Sequence, residues 1–103
     1  MTLIVLVDDD ISVLTPLTEQ LETEGYKVQA FQSSLDAKDF FKTQNPDLAI
    51  FDIKMPDLNG YQLLKEVRLD NPSLPIIFLS SKIEEQDELI GFTLGADDYI
   101  TKP

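Results

Sequence analysis

Apolar and polar positions follow two alternating periods along this chain. Residues 2–7, TLIVLV, form a near-continuous run of β-branched and leucine side chains, the pattern of a strand covered on both faces. Residues 12–24 carry Leu14, Leu17 and Leu21 at helical spacing and stop at Gly25. Pro16, near the start of that helix, costs it one backbone hydrogen bond. Residues 27–31 set Val28 and Ala30 between polar neighbours, which predicts a second, less buried strand. Residues 34–43 place Ala37, Phe40 and Phe41 on one helical face, with Ser33 or Ser34 as the cap and Asn45-Pro46 closing the segment. LAIFD, residues 48–52, is a third strand. Gly60, Leu63, Leu64 and Val67 mark a third helix that ends near Asn71-Pro72. PIIFLS, residues 75–80, is a fourth strand. Residues 83–94 make a fourth helix, with Glu84 and Glu85 in the first turn, where the dipole favours them, and Gly95 at its end. Residues 98–101 are a short fifth strand.

The order βαβαβαβαβ predicts one α/β domain over residues 1–103: a doubly wound parallel sheet with helices on both faces, joined by right-handed crossovers. Only Lys102-Pro103 follows the fifth strand, so the piece is expected to lack a final helix. At 43% hydrophobic, its 103 residues suffice for one small core. Eight basic residues against 19 acidic ones give a net charge of -11. That balance argues against nucleic acid binding by this segment and against an anionic membrane surface; it suits a basic partner or bound cations. The absence of Cys and His removes thiolate and imidazole chemistry. No apolar run approaches the roughly 20 residues of a membrane span and no basic leader precedes Asp8, so a cytoplasmic location is expected.

The strand ends carry one consistent chemistry. The first ends in Asp8-Asp9-Asp10, the third in Asp52, the fourth in Ser80-Ser81, and the fifth runs into Lys102. Ligands of such a sheet bind outside the carboxyl ends of its strands, at the switch in strand order. Carboxylates gathered there cannot all stay ionised without a cation, and an oxygen-only donor set selects Mg²⁺ first and Mn²⁺ next. A cation, a hydroxyl and an ammonium around carboxylates suit a phosphoryl group in transit, whose transfer needs positioning and charge neutralisation above all. Asp52, alone on its strand and facing the pair, is best placed to accept it. A cluster strained without metal predicts that Mg²⁺ stabilises the fold by mass action. Asp10 is open between capping the first helix and supporting the metal. Met55-Pro56 and Asn59-Gly60 read as turn chemistry. Asp97 and Asp98 read as loop and strand-edge residues that can help position the site loop.

The fragments LVDDD, DLAIFDIKMPDLNG, PIIFLSS and GFTLGADDYITKP, in this order and across the whole chain, resemble the receiver domain of bacterial two-component response regulators. The resemblance implies a flavodoxin-like fold with strand order 2-1-3-4-5. It implies that Asp52 is the phosphoacceptor and that Asp8, Asp9, Asp52 and the backbone carbonyl of Lys54 hold Mg²⁺. Ser80 becomes the switch hydroxyl, Tyr99 the aromatic that changes rotamer with it, and Lys102 the contact to the phosphoryl oxygens, aimed by a cis Lys102–Pro103 bond. It further implies a sensor histidine kinase as donor, a homodimer through the fourth-helix and fifth-strand face, and an output such as transcription. The domain would supply its own phosphotransfer chemistry and a slow self-hydrolysis, without being an enzyme in the ordinary sense. Ser81, Lys54 and Lys82 stand where the family varies and where phosphoryl lifetime is tuned.

Two other readings fit less well. A phosphohydrolase of the haloacid-dehalogenase type carries its nucleophile in a D-x-D pattern on the first strand, whereas the lone aspartate here is on the third. A flavodoxin-like binding module needs a Gly/Ser/Thr-rich phosphate loop after the first strand, and that loop is acidic here. Without the resemblance, Tyr99 reads as a core aromatic and Lys102 as a surface lysine.

Overall fold

A computed structural model describes residues 1–80 and 97–101. In chain order these residues form β1 (Leu3–Val7), α1 (Ile11–Thr23), β2 (Lys27–Phe31), α2 (Ser34–Thr43), β3 (Leu48–Asp52), α3 (Gly60–Asp70), β4 (Ile76–Ser80) and β5 (Asp98–Thr101). The strands make one five-stranded sheet in the order β2-β1-β3-β4-β5, every pairing parallel. The predicted architecture and strand order are therefore those of the molecule. The helix expected over 83–94, Lys102 and the Lys102–Pro103 bond lie outside the described residues.

Burial explains the two kinds of strand. β1 and β3 are central and buried on four of five positions, which is why their sequences are unbroken apolar runs. β2 is an edge, paired only with β1, and has no fully buried position, alternating exposed and half-buried over Lys27–Ala30. Successive side chains leave a strand on opposite faces, so each central strand feeds two cores. Val5 and Val7 of β1, with Ala49 and Phe51 of β3, meet Ala37 and Phe41 of α2 and Leu63, Leu64 and Val67 of α3. Ile4, Leu6 and Ile50, from the other face, meet Leu14 of α1. The larger core is keyed by aromatic contacts, with Phe41 edge-on to Phe51 at 5.8 Å and Tyr61 edge-on to Phe78 at 5.0 Å.

Local chemistry sets the helix ends. Ser33, not Ser34, caps α2, its hydroxyl accepting from the Asp36 amide at 3.3 Å. Asn59 and Gln62 form a reciprocal capping box at the start of α3, each bond 2.9 Å long. Gly25 takes φ +96° just beyond α1, a conformation that favours glycine. Pro16 sits in the second turn of α1 and offers no N–H to the carbonyl one turn back.

The amino end of β4 is fastened separately. Arg68 of α3 donates to the carbonyls of Asn71 and Leu74 and pairs with the Asp97 carboxylate at 3.3 Å. Asp97 in turn accepts from the Ile76 amide at 2.8 Å. Because β5 runs parallel to β4, its first residues lie at the end of the sheet opposite the carboxyl ends. Asp97 therefore helps to dock α3 and β5 there and does not position the site loop, which corrects the expectation drawn from its sequence.

Candidate metal and phosphoryl site

The cleft is built by three adjacent elements. Asp8 follows β1 directly and is buried, its amide donating to Phe31 of β2 at 3.1 Å. Its Oδ1 accepts from the Asp10 amide at 2.9 Å, which turns the chain toward α1. Asp9 is exposed beside it. Asp52 closes β3, is also buried, and its Oδ1 accepts from the next amide, that of Ile53, at 2.9 Å. β1 and β3 are sheet neighbours, with Val7 level with Phe51. Register and direction thus bring carboxylates from two distant stretches of sequence to one spot: oxygens of Asp8, Asp9 and Asp52 lie within 4.8 Å of one another.

Asp10 is not part of that group. Its Oδ1 accepts from the Ser12 amide at 3.0 Å and the Ser12 hydroxyl at 2.6 Å, the geometry of an N-cap on α1. Asp10→Ala should therefore lower stability by about 1 kcal/mol while leaving Mg²⁺ affinity within about twofold of the parent. Urea denaturation and calorimetric Mg²⁺ titration of the same variant check both halves; a collapse of Mg²⁺ affinity would return Asp10 to the metal site.

The loop over 53–59 that follows Asp52 is held at both ends and in the middle. The Gly60 amide donates to the Ile53 carbonyl at 2.8 Å, closing its base. A Cβ at Gly60 would press on the Asp52 carbonyl oxygen and lie 3.0 Å from both Ile53 Cα and Phe78 Cε1, so only glycine lets α3 start this close to β3. Ile53 and Met55 are buried in the larger core on either side of exposed Lys54. Ser34 of α2 is buried against the loop, its hydroxyl donating to the Pro56 carbonyl at 3.1 Å and accepting from the Leu58 amide at 3.2 Å. Between those two loop residues Asp57 adopts φ +67°, an uncommon value for an aspartate. The sequence offered Ser34 only as an alternative helix cap, and nothing local points to a bond with residues so far along the chain.

The remaining candidates are placed by backbone alone or not at all. Ser80 ends β4 opposite Thr101, one step beyond the Asp52–Leu79 pair, and Tyr99 lies in β5 opposite Phe78. Lys102 lies outside the described residues.

A family model for the response regulator receiver domain matches residues 4–103. The chain belongs to that family. The receiver domain is 38% identical over 98 residues to the transcriptional regulatory protein CreB of Escherichia coli (strain K12), covering 95% of this chain and 43% of CreB. It is 37% identical over 103 residues to the response regulator SaeR of Staphylococcus aureus (strain USA300), covering all of this chain and 45% of SaeR. The chain thus spans less than half the length of these curated relatives. Among solved structures it is similar to the Vibrio cholerae chemotaxis protein CheY4, with TM-score 0.95, 27% identity, and coverage of 100% of this chain and 88% of that one. The non-phosphorylated HemR receiver domain of Leptospira biflexa matches with TM-score 0.92 and 33% identity, covering 100% of this chain and 83% of that one. Domains of this family serve response regulators that histidine kinases phosphorylate, and they bind Mg²⁺ at acidic residues. The three-carboxylate group of this receiver domain has the donor chemistry for such a hard cation.

Proposed function

We propose that this domain is a phosphorylation switch whose acceptor is Asp52. The observation that carries the reading is the convergence of Asp8, Asp9 and Asp52 at the carboxyl ends of adjacent strands. An Asp52 carboxylate oxygen attacks the phosphorus of a phosphohistidine on a sensor kinase. A new O–P bond forms, the P–N bond breaks, and its electron pair returns to the imidazole. Asp8 and Asp9, with Asp52 and the Lys54 carbonyl, would hold Mg²⁺, or Mn²⁺ in its place. When bound, the ion neutralises charge on the transferring phosphoryl oxygens. Lys102 contacts the same oxygens, and Ser80 turns its hydroxyl toward the new acyl phosphate while Tyr99 follows. The phosphorylated state alters the face that the sequence assigns to residues 83–94, expected as a fourth helix, and β5, and through it the domain dimerises and drives an output; CreB is named a transcriptional regulatory protein.

The acidic charge of -11 supports a domain that makes no nucleic acid contact itself. A cytoplasmic setting agrees with kinase access, and among the described residues no helix is long and apolar enough to cross a membrane. The test is intact mass after incubation with acetyl phosphate. One added phosphoryl group is expected with Mg²⁺ and none with excess chelator, and Mg²⁺ alone should raise the melting temperature. A folded chain that gains no adduct and shows no Mg²⁺-dependent stabilisation would overturn the proposal.

A further inference from the structure

We propose that Ser34 is a positioning residue for the site, its buried hydroxyl holding the loop that carries Lys54 in the conformation that completes the cation shell. The inference rests on the receiver reading above. The loop over 53–59 has its first residue tied to Asp52 and its end tied to Ile53 through Gly60. Those ties fix where the loop starts and stops but not the path between. The middle is fixed from outside the strand–loop–helix unit, by one hydroxyl that bridges Pro56 and Leu58 from the first turn of α2. Ser34 is 2% exposed, so water cannot replace it without opening the packing. The bridge spans Asp57, whose left-handed backbone is held by the groups on either side of it. Ser34 has no capping duty to explain its hydroxyl, since Ser33 caps α2.

The loop's path matters because a backbone carbonyl cannot choose its own direction. A side-chain ligand reaches a cation by rotating; a carbonyl at Lys54 points where Ile53 and Met55, both buried, and the latch beyond them set it. Groups that orient metal ligands from behind weaken metal affinity when removed, even though they do not touch the ion. α2 also reaches α3 through the Lys38–Glu66 pair at 3.6 Å, so the helix that supplies the latch is itself seated against the helix that ends the loop.

The test compares Ser34→Ala with Ser33→Ala. Both alter the start of α2, and both cost stability, but only the first removes the latch. Calorimetric titration with MgCl₂ of the unphosphorylated chain is expected to give a Kd raised about tenfold in Ser34→Ala and unchanged within about twofold in Ser33→Ala. Amide exchange at Leu58 should quicken in Ser34→Ala alone. Saturating Mg²⁺ should restore the acetyl phosphate rate of Ser34→Ala toward that of the parent, a concentration dependence that loss of folded protein does not produce. If Ser34→Ala fails to fold, Ser34→Cys, close in size and weaker in hydrogen bonding, takes its place with the same expected direction. An unchanged Mg²⁺ Kd in a folded Ser34 variant overturns the inference and leaves the receiver reading intact. A parent chain that neither binds Mg²⁺ nor takes up phosphoryl overturns both.

Discussion

Asp52→Asn is expected to take up no phosphoryl group from acetyl phosphate under conditions where the parent chain gains one. On the proposed function the carboxylate is the attacking group, and a neutral amide oxygen offers neither its charge nor its basicity, so the loss should exceed about a hundredfold in rate. The substitution is a clean one because the fold has little to lose. Asn at this position keeps an oxygen for the Ile53 amide now bound at 2.9 Å. It also removes one of three carboxylates crowded within 4.8 Å, so the metal-free variant should melt no lower than the parent. Intact mass and a thermal melt on the same sample separate chemistry from folding. A persistent single adduct on Asp52→Asn would move the acceptor to Asp8 or Asp9, and with it the whole assignment of roles in the cleft.

Gly60→Ala should be the most damaging single-methyl change near the site. In most helix positions alanine is preferred to glycine by up to about 1 kcal/mol, so the naive expectation is stabilisation. Here the new methyl would meet the Asp52 carbonyl oxygen, Ile53 and Phe78, two of them backbone and none able to swing away. Overpacking of this kind costs about 1–3 kcal/mol, so the sign reverses. The relief available is a shift of α3 away from β3, and that shift carries the end of the loop and the position of Asp52 with it. Displacements of about 1 Å at a reacting group can cost a hundredfold, so phosphorylation should slow by at least about tenfold even where the variant stays folded. Urea denaturation and the acetyl phosphate rate at saturating Mg²⁺ check the two effects. A variant more stable than the parent would mean that α3 has slack at its start and that Gly60 is not the spacer it is taken for.

The elements were legible wherever pattern and punctuation coincided. LAIFD reads as a strand because an apolar run is bounded by Asn45-Pro46 before it and charge after it, and β3 begins and ends where that reading puts it. The carboxylates at the strand ends converge because a parallel sheet points all its carboxyl ends one way. What stayed hidden was contact across the chain. Asn59 reads as a turn residue beside Gly60, although Asn followed three positions later by Gln is also the signature of the box that starts α3. Asp10 could not be decided between cap and ligand, since both roles use the same carboxylate and only the direction of α1 chooses. Asp97 is the loop and strand-edge residue its sequence suggests, but standing before β5 it works at the end of the sheet away from the site, against Arg68 and Ile76. Ser34 signals only an alternative helix cap: its partners in the loop lie beyond an intervening strand, and no local period encodes them.

The order of strands has a consequence for how this domain is made. β1 is synthesised before the other described strands, yet it is central, and both its neighbours arrive later: β2 after α1, and β3 only after α2. A nascent chain that holds Asp8 and Asp9 therefore holds half of a cleft with nothing opposite, and an apolar strand with one side unpaired until Asp52 has been synthesised. Non-local parallel pairings of this sort close slowly and leave apolar surface open to association in the meantime. The acidic triplet bears on that interval as well: carboxylates at the tip of β1 are expected to disfavour the pairing of one unfinished strand with another before its own partner appears.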